Sequence, residues 1–67
     1  MRVRDEYRDE FEKLDDQRRR VYEDFNLLVQ QMREGSVRDV DRARLEAQHL
    51  QVRHTGLIER MVDLLTY

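Results

Sequence analysis

The residues from which this chain could build chemistry are few, and their spacing narrows what that chemistry could be. Two histidines, His49 and His54, stand among 15 aspartates and glutamates, and cysteine is absent. Glu46-Ala47-Gln48-His49 has the Glu-x-x-His spacing with which helical di-iron carboxylate proteins hold metal. Such a site needs both side chains turned into a bundle interior, with further glutamates from facing helices. Here His49 falls opposite the apolar stripe of its own segment and Glu46 only flanks it, so no metal site is expected. Without cysteine there is neither a thiolate nucleophile nor a disulfide, Ser36 is explained as a helix cap, and no glycine-rich phosphate loop occurs. No catalytic residue, cofactor or small-molecule substrate is therefore expected. Arg18-Arg19-Arg20 is the only basic run, and it offsets the acidic stretch Asp5–Asp16. The net charge of −2 lacks the basic excess with which nucleic-acid binders displace counterions, which argues against nucleic acid as a partner.

The elements that would position these residues are two helices. From Tyr7 the apolar positions recur at spacings of four and three: Tyr7, Phe11, Leu14, then Arg18, then Val21, Phe25, Leu28 and Met32. A second series runs Val40, Ala43, Ala47, Leu50, then His54, then Leu57, Met61 and Leu64. Each is the heptad seam of a helix packed lengthwise on a neighbour. Gly35 suits a left-handed helix C-cap and Ser36 an N-cap, with Asp39 at the third position of the next helix. The expectation is an all-α chain folded as an antiparallel two-helix hairpin of coiled-coil type. Helix 1 would span about residues 3–34, the turn 35–36 and helix 2 about 37–66, as one domain over 1–67. In that register Met32 meets Val40, Leu28 meets Ala43, and Phe25 meets Ala47, while Leu14, Phe11 and Tyr7 meet Leu57, Met61 and Leu64. Gly56 lies within helix 2, which is expected to continue through it; the alternative is a break at Thr55-Gly56 that leaves a short third helix from Leu57 to Thr66.

Arg18 and His54 each interrupt a seam, and the register puts them close to one layer. A buried polar pair there would fix register or partner choice, and His54 could add sensitivity to pH near neutrality. The competing expectation is that Arg18 reaches outward to Asp15 while His54 is half-exposed. Apolar residues also exceed what two seams need. Tyr22, Leu27 and Val29 widen the stripe on helix 1, and Ile58, Met61, Val62, Leu65 and Tyr67 widen it on helix 2, opposite Val3, Tyr7 and Phe11. Stripes this broad mark an interface. A single core in a chain of 67 residues rarely supplies more than about 3–5 kcal/mol, and neither disulfide nor metal is on hand to add to it. The expected function is a non-enzymatic protein–protein interaction module. It would form a homodimer or four-helix bundle, or dock on a larger protein, through Tyr7, Phe11, Tyr22, Val29, Ile58, Met61, Val62 and Leu65.

The length, the two helices and the turn Met32-Arg33-Glu34-Gly35-Ser36 resemble the small hairpin co-chaperones of type III secretion needle subunits, although this chain is more highly charged. The resemblance covers the whole chain in outline and implies docking on a helical-repeat chaperone partner. A regulator or inhibitor of a nucleic-acid-handling enzyme, of the kind phages and plasmids encode, is a further expectation, with the acids of Asp5–Asp16 imitating a nucleic-acid backbone. No apolar run approaches the roughly 20 residues of a membrane span, and the N-terminal residues lack the apolar core of a secretory signal, so a cytoplasmic protein is expected.

Overall fold

The computed structural model describes residues 2–66. Two helices, α1 (Arg8–Glu34) and α2 (Val40–Asp63), pack against each other, and two-residue strands flank them, β1 (Arg2–Val3) before and β2 (Leu65–Thr66) after. The molecule is a rod measuring 46 × 16 × 15 Å. No proline or glycine interrupts the 27 residues of α1, which lets the backbone ladder run unbroken to its end. Gly35 then adopts φ 71°. Its N–H donates to the Met32 carbonyl at 3.3 Å and that of Ser36 to the Gln31 carbonyl at 3.0 Å, closing α1 in a Schellman turn.

Ser36 therefore does not cap helix 2. Its hydroxyl donates back to Gln31 O at 3.1 Å, and the cap is Asp39, whose carboxylate accepts from the Arg42 N–H at 3.1 Å. The turn consequently extends to residue 39, and helix 2 begins at Val40 rather than near 37. The far end also differs from the expected continuous helices. Asp5–Tyr7 forms a single 3-10 turn, so α1 begins at Arg8 rather than near residue 3, and α2 ends at Asp63 rather than near 66. The freed segments pair with each other, Arg2 with Thr66 and Val3 with Leu65, and the Arg4 N–H donates to Leu64 O at 3.2 Å. Backbone groups beyond the helix ends thereby find partners. A strand of two residues carries no periodicity, so nothing in the sequence announced this closure.

Each apolar series contains two heptad rows, and the helix pair buries only one of them. Leu14, Val21 and Leu28 on α1 and Ala43 and Leu57 on α2 are the buried apolar residues, with Leu50, Met61 and Leu64 packed against the Leu14–Val21–Leu57 cluster. The neighbouring rows, Phe11, Arg18 and Phe25 on α1 and Ala47, His54 and Met61 on α2, are half-buried. Next to the turn the expected Met32–Val40 layer does not close, and both side chains are exposed. Among the described residues no large side chain is fully buried.

Helix α2 runs through Gly56 without a break, as expected. A Cβ added at Gly56 meets no atom within 4 Å and its φ is not positive, whereas Gly35 has the left-handed φ of 71°. The two glycines should therefore respond to alanine with opposite signs. Gly56→Ala is expected to stabilise by about 0.5–1 kcal/mol and Gly35→Ala to destabilise by about 1 kcal/mol or more, as read by urea or thermal unfolding.

Candidate functional site

The half-buried rows lie on one side of the rod. A shallow hollow of about 200 Å³ is lined by Val21, Tyr22 and Phe25 from α1 and by Leu50, Gln51 and His54 from α2. Residues seven apart on a helix point in nearly the same direction, so the lining extends along the rod. Phe25 leads through Arg18 to Phe11, Tyr22 to Val29, His54 to Met61, and Gln51 to Ile58. Nearer the turn, a second hollow lined by Met32, Val37, Val40, Ala43 and Ala47, with Gly35 and Arg44, continues the face. Hollows flanking the seam on its other side are lined by Gln17, Arg53 and Arg60 with Gly56 and Leu57, and by Asp24, Gln31 and Glu46 with Leu27, Leu28 and Leu50. The rod therefore has a more apolar face and a more polar one, divided by the buried seam.

Of the residues singled out from the sequence, Tyr22 (53% exposed), Ile58 (39%) and Val62 (52%) are open to solvent. Tyr7, Phe11, Val29, Met61 and Leu65 are half-buried. Leu65 is not on a helical face, because it belongs to β2, where it pairs with Val3. Leu27 is exposed, but it lines a polar-face hollow beside Asp24 and so does not widen the apolar stripe. Tyr67 lies outside the described residues. Sequence reasoning missed Leu45 and Val52, both exposed on α2 away from the seam, because isolated apolar residues on an outer face belong to no periodic series. The half-burial of Val37 was missed as well, since it follows from the longer turn.

Arg18 and His54 do not form a hydrogen-bonded pair. The Arg18 Nε and Nη2 both donate to Asp15 Oδ1, at 2.9 and 2.7 Å, and Arg19 Nη2 reaches Asp15 Oδ2 at 2.7 Å. Arg18 thus crosses the apolar face with its charge neutralised from one turn back. The Arg18 hydrogen bonds, helped by the charges of Arg19 and Arg18, hold the Asp15 carboxyl below the ordinary aspartate value, against the upward push of partial desolvation. His54 packs its ring 6.0 Å from that of Tyr22, at 42°, and its Nε2 is buried without a hydrogen-bond partner. An unsatisfied buried nitrogen of this kind costs about 1–3 kcal/mol. Glu46 and His49 are both exposed, and among the described residues no group of three His, Asp or Glu side chains is arranged to hold a metal ion. No helix of the described residues is long and apolar enough to cross a membrane.

Comparison with protein-family models, with curated proteins and with solved structures finds no match to this chain.

The depressed Asp15 pKa makes a signed prediction. A carboxyl whose folded pKa lies below its unfolded value contributes stability above the unfolded pKa and loses it as pH falls through the folded one. The Asp15 contribution should therefore be intact at pH 5–7 and be lost progressively as pH falls below the ordinary 3.8. In an NMR titration the Asp15 carboxyl midpoint is expected below the ordinary 3.8 and should return towards it in Arg18→Gln. An unchanged midpoint in that variant would remove Arg18 as the cause.

Proposed function

We propose that this protein is a non-enzymatic protein–protein interaction module, an antiparallel helical hairpin that docks through its apolar face. The antiparallel reading is supported by the short turn after α1, by the pairing of β1 with β2 at the other end, and by hollows whose lining residues rise along one helix as they fall along the other. The observation that carries the function is the sidedness of the second heptad rows. Phe11, Phe25, Tyr22 and Val29 on α1 and Met61 and Ile58 on α2 lie on one side of the seam, while Gln17, Asp24 and Gln31 and Glu46, Arg53 and Arg60 lie on the other. Apolar side chains at the rim gain part of their burial from the helix pair, and a third surface would cover the flanks that the pair leaves exposed. The hollows are shallow, and the apolar one holds only Gln51, His54 and the Tyr22 hydroxyl as polar groups, a poor match to the convergent polar groups of a substrate pocket. The outline resemblance to secretion co-chaperones belongs to the same class of function, with a helical-repeat protein as the docking surface.

Charge inserted on the two faces tests this reading. Light scattering at micromolar concentration, with apolar-dye fluorescence on any monomer, should report association or dye binding for the unmodified chain. Ile58→Glu should reduce that signal several-fold while circular dichroism keeps its helical amplitude, and Arg53→Glu on the polar face should leave it unchanged. A monomer that binds no dye, or equal losses from the two substitutions, would contradict the proposal.

A further inference from the structure

The two ends of the rod differ in what stops each helix. At the turn end the stops are local. Gly35 takes a left-handed φ of 71° after α1, and the Asp39 carboxylate caps α2. The far end has no such signals. Tyr7 precedes α1 and Arg4 precedes the 3-10 turn, and neither makes a side-chain cap hydrogen bond. Leu64, which follows α2, keeps right-handed φ and ψ of −88° and −3°, so the left-handed stop of α1 has no counterpart there. Neither proline nor glycine occurs in residues 2–34 or 57–66.

What interrupts the helices at this end is the ladder. Arg2 pairs with Thr66 and Val3 with Leu65, and the Arg4 N–H donates to Leu64 O at 3.2 Å. Two strands of this length are marginal by themselves. A longer helix pair fits the same sequence. With residues 4–7 and 64–66 helical, Tyr7 would continue the row of Leu14, Val21 and Leu28 at the same interval of seven, and Leu65 would continue the row of Gln51 and Ile58. Asp5 and Glu6 would then stand in the first turn of α1, where acids oppose the positive end of the helix dipole. The two closures exchange one set of backbone hydrogen bonds for another and share the same buried seam.

We infer that the β1–β2 ladder is a clasp, a conformational device that holds both helices short while closed and lets both lengthen when released. The ends are coupled because, among the described residues, each strand has only the other as its partner. The clasp stands whether or not the apolar face docks a partner. Under the interaction reading it sets how far that face extends, since release carries Leu65 onto the row of Ile58.

Arg4→Pro tests the coupling. Arg4 is exposed and has φ −62°, which a proline ring accepts, and proline is equally accepted in the first turn of a helix. The substitution therefore removes the N–H that reaches Leu64 without disturbing α1, whereas Arg4→Ala keeps that N–H. Backbone NMR chemical shifts of the full chain read both ends at once. In Arg4→Pro the shifts of Asp5–Tyr7 and, across the ladder, of Leu65 and Thr66 are expected to move to helical values, with loss of the cross-strand proton contact between Val3 and Leu65. Arg4→Ala should match the unmodified chain. Extended values that persist at Leu65 and Thr66, or ends that lose the strand without gaining helix, overturn the clasp. An Arg4→Ala that behaves like Arg4→Pro overturns it too, because the N–H is then not what holds the ends. Association and dye binding, which test the docking face, are read separately from these shifts.

Discussion

Two helices laid side by side touch along a single line, and most features of this molecule follow from that limit. One heptad row from each helix, Leu14, Val21 and Leu28 against Ala43 and Leu57, can leave water completely or nearly so. The next row on each helix lies at the rim of the contact, where its side chains bury one flank and expose the other. Whether those rim positions are polar or apolar is then a choice the sequence makes separately on each side. This sequence places Phe, Tyr, Met and Ile, interrupted by Arg18 and His54, on one rim, and mainly Gln, Asp, Glu and Arg on the other. The isolated pair leaves the outer flanks of those apolar side chains in water, which is why the asymmetry supports a docking face.

The helical class and the seam were legible in the sequence because periodicity over more than three turns is a strong, redundant signal. Leu14, Val21, Leu28, Ala43 and Leu57 fall where the heptads put them, and the left-handed conformation of Gly35 follows from the residue type. The ends were not legible. Ser36 and Asp39 are both good caps, and the deciding factor was the Schellman closure, which draws Ser36 back onto Gln31 and leaves Asp39 to begin α2. Likewise Val3 and Leu65 continue an apolar pattern that reads as helix, yet their backbones pair with each other. The local preference for helix there is weak enough for a tertiary hydrogen bond to decide.

The candidate face was legible in composition and not in extent. Tyr22, Ile58 and Val62 are open to solvent, whereas Tyr7, Phe11 and Leu65, at the end where the small ladder forms, are half-buried. The centre of the rod and the turn end carry the hollows instead. The polar interruptions of the seams also sort differently from a simple matched pair. Arg18 is drawn to Asp15 by two short, charge-assisted hydrogen bonds onto one carboxylate oxygen, a partner three residues away on its own helix that needs no tertiary ordering. His54 is left against the Tyr22 ring with Nε2 unpaired, the one polar atom among the described side chains that the fold buries without a partner.

The central claim is that the apolar side of the rod is covered in the working state and the polar side is not. Solvent paramagnetic relaxation by NMR, recorded on dilute and on concentrated protein, measures that residue by residue. The account predicts that Phe11, Tyr22, Phe25 and Ile58 become protected as concentration rises, while Gln17, Asp24 and Arg53 stay accessible. Unchanged accessibility on both sides, or protection that favours the polar side, would contradict it.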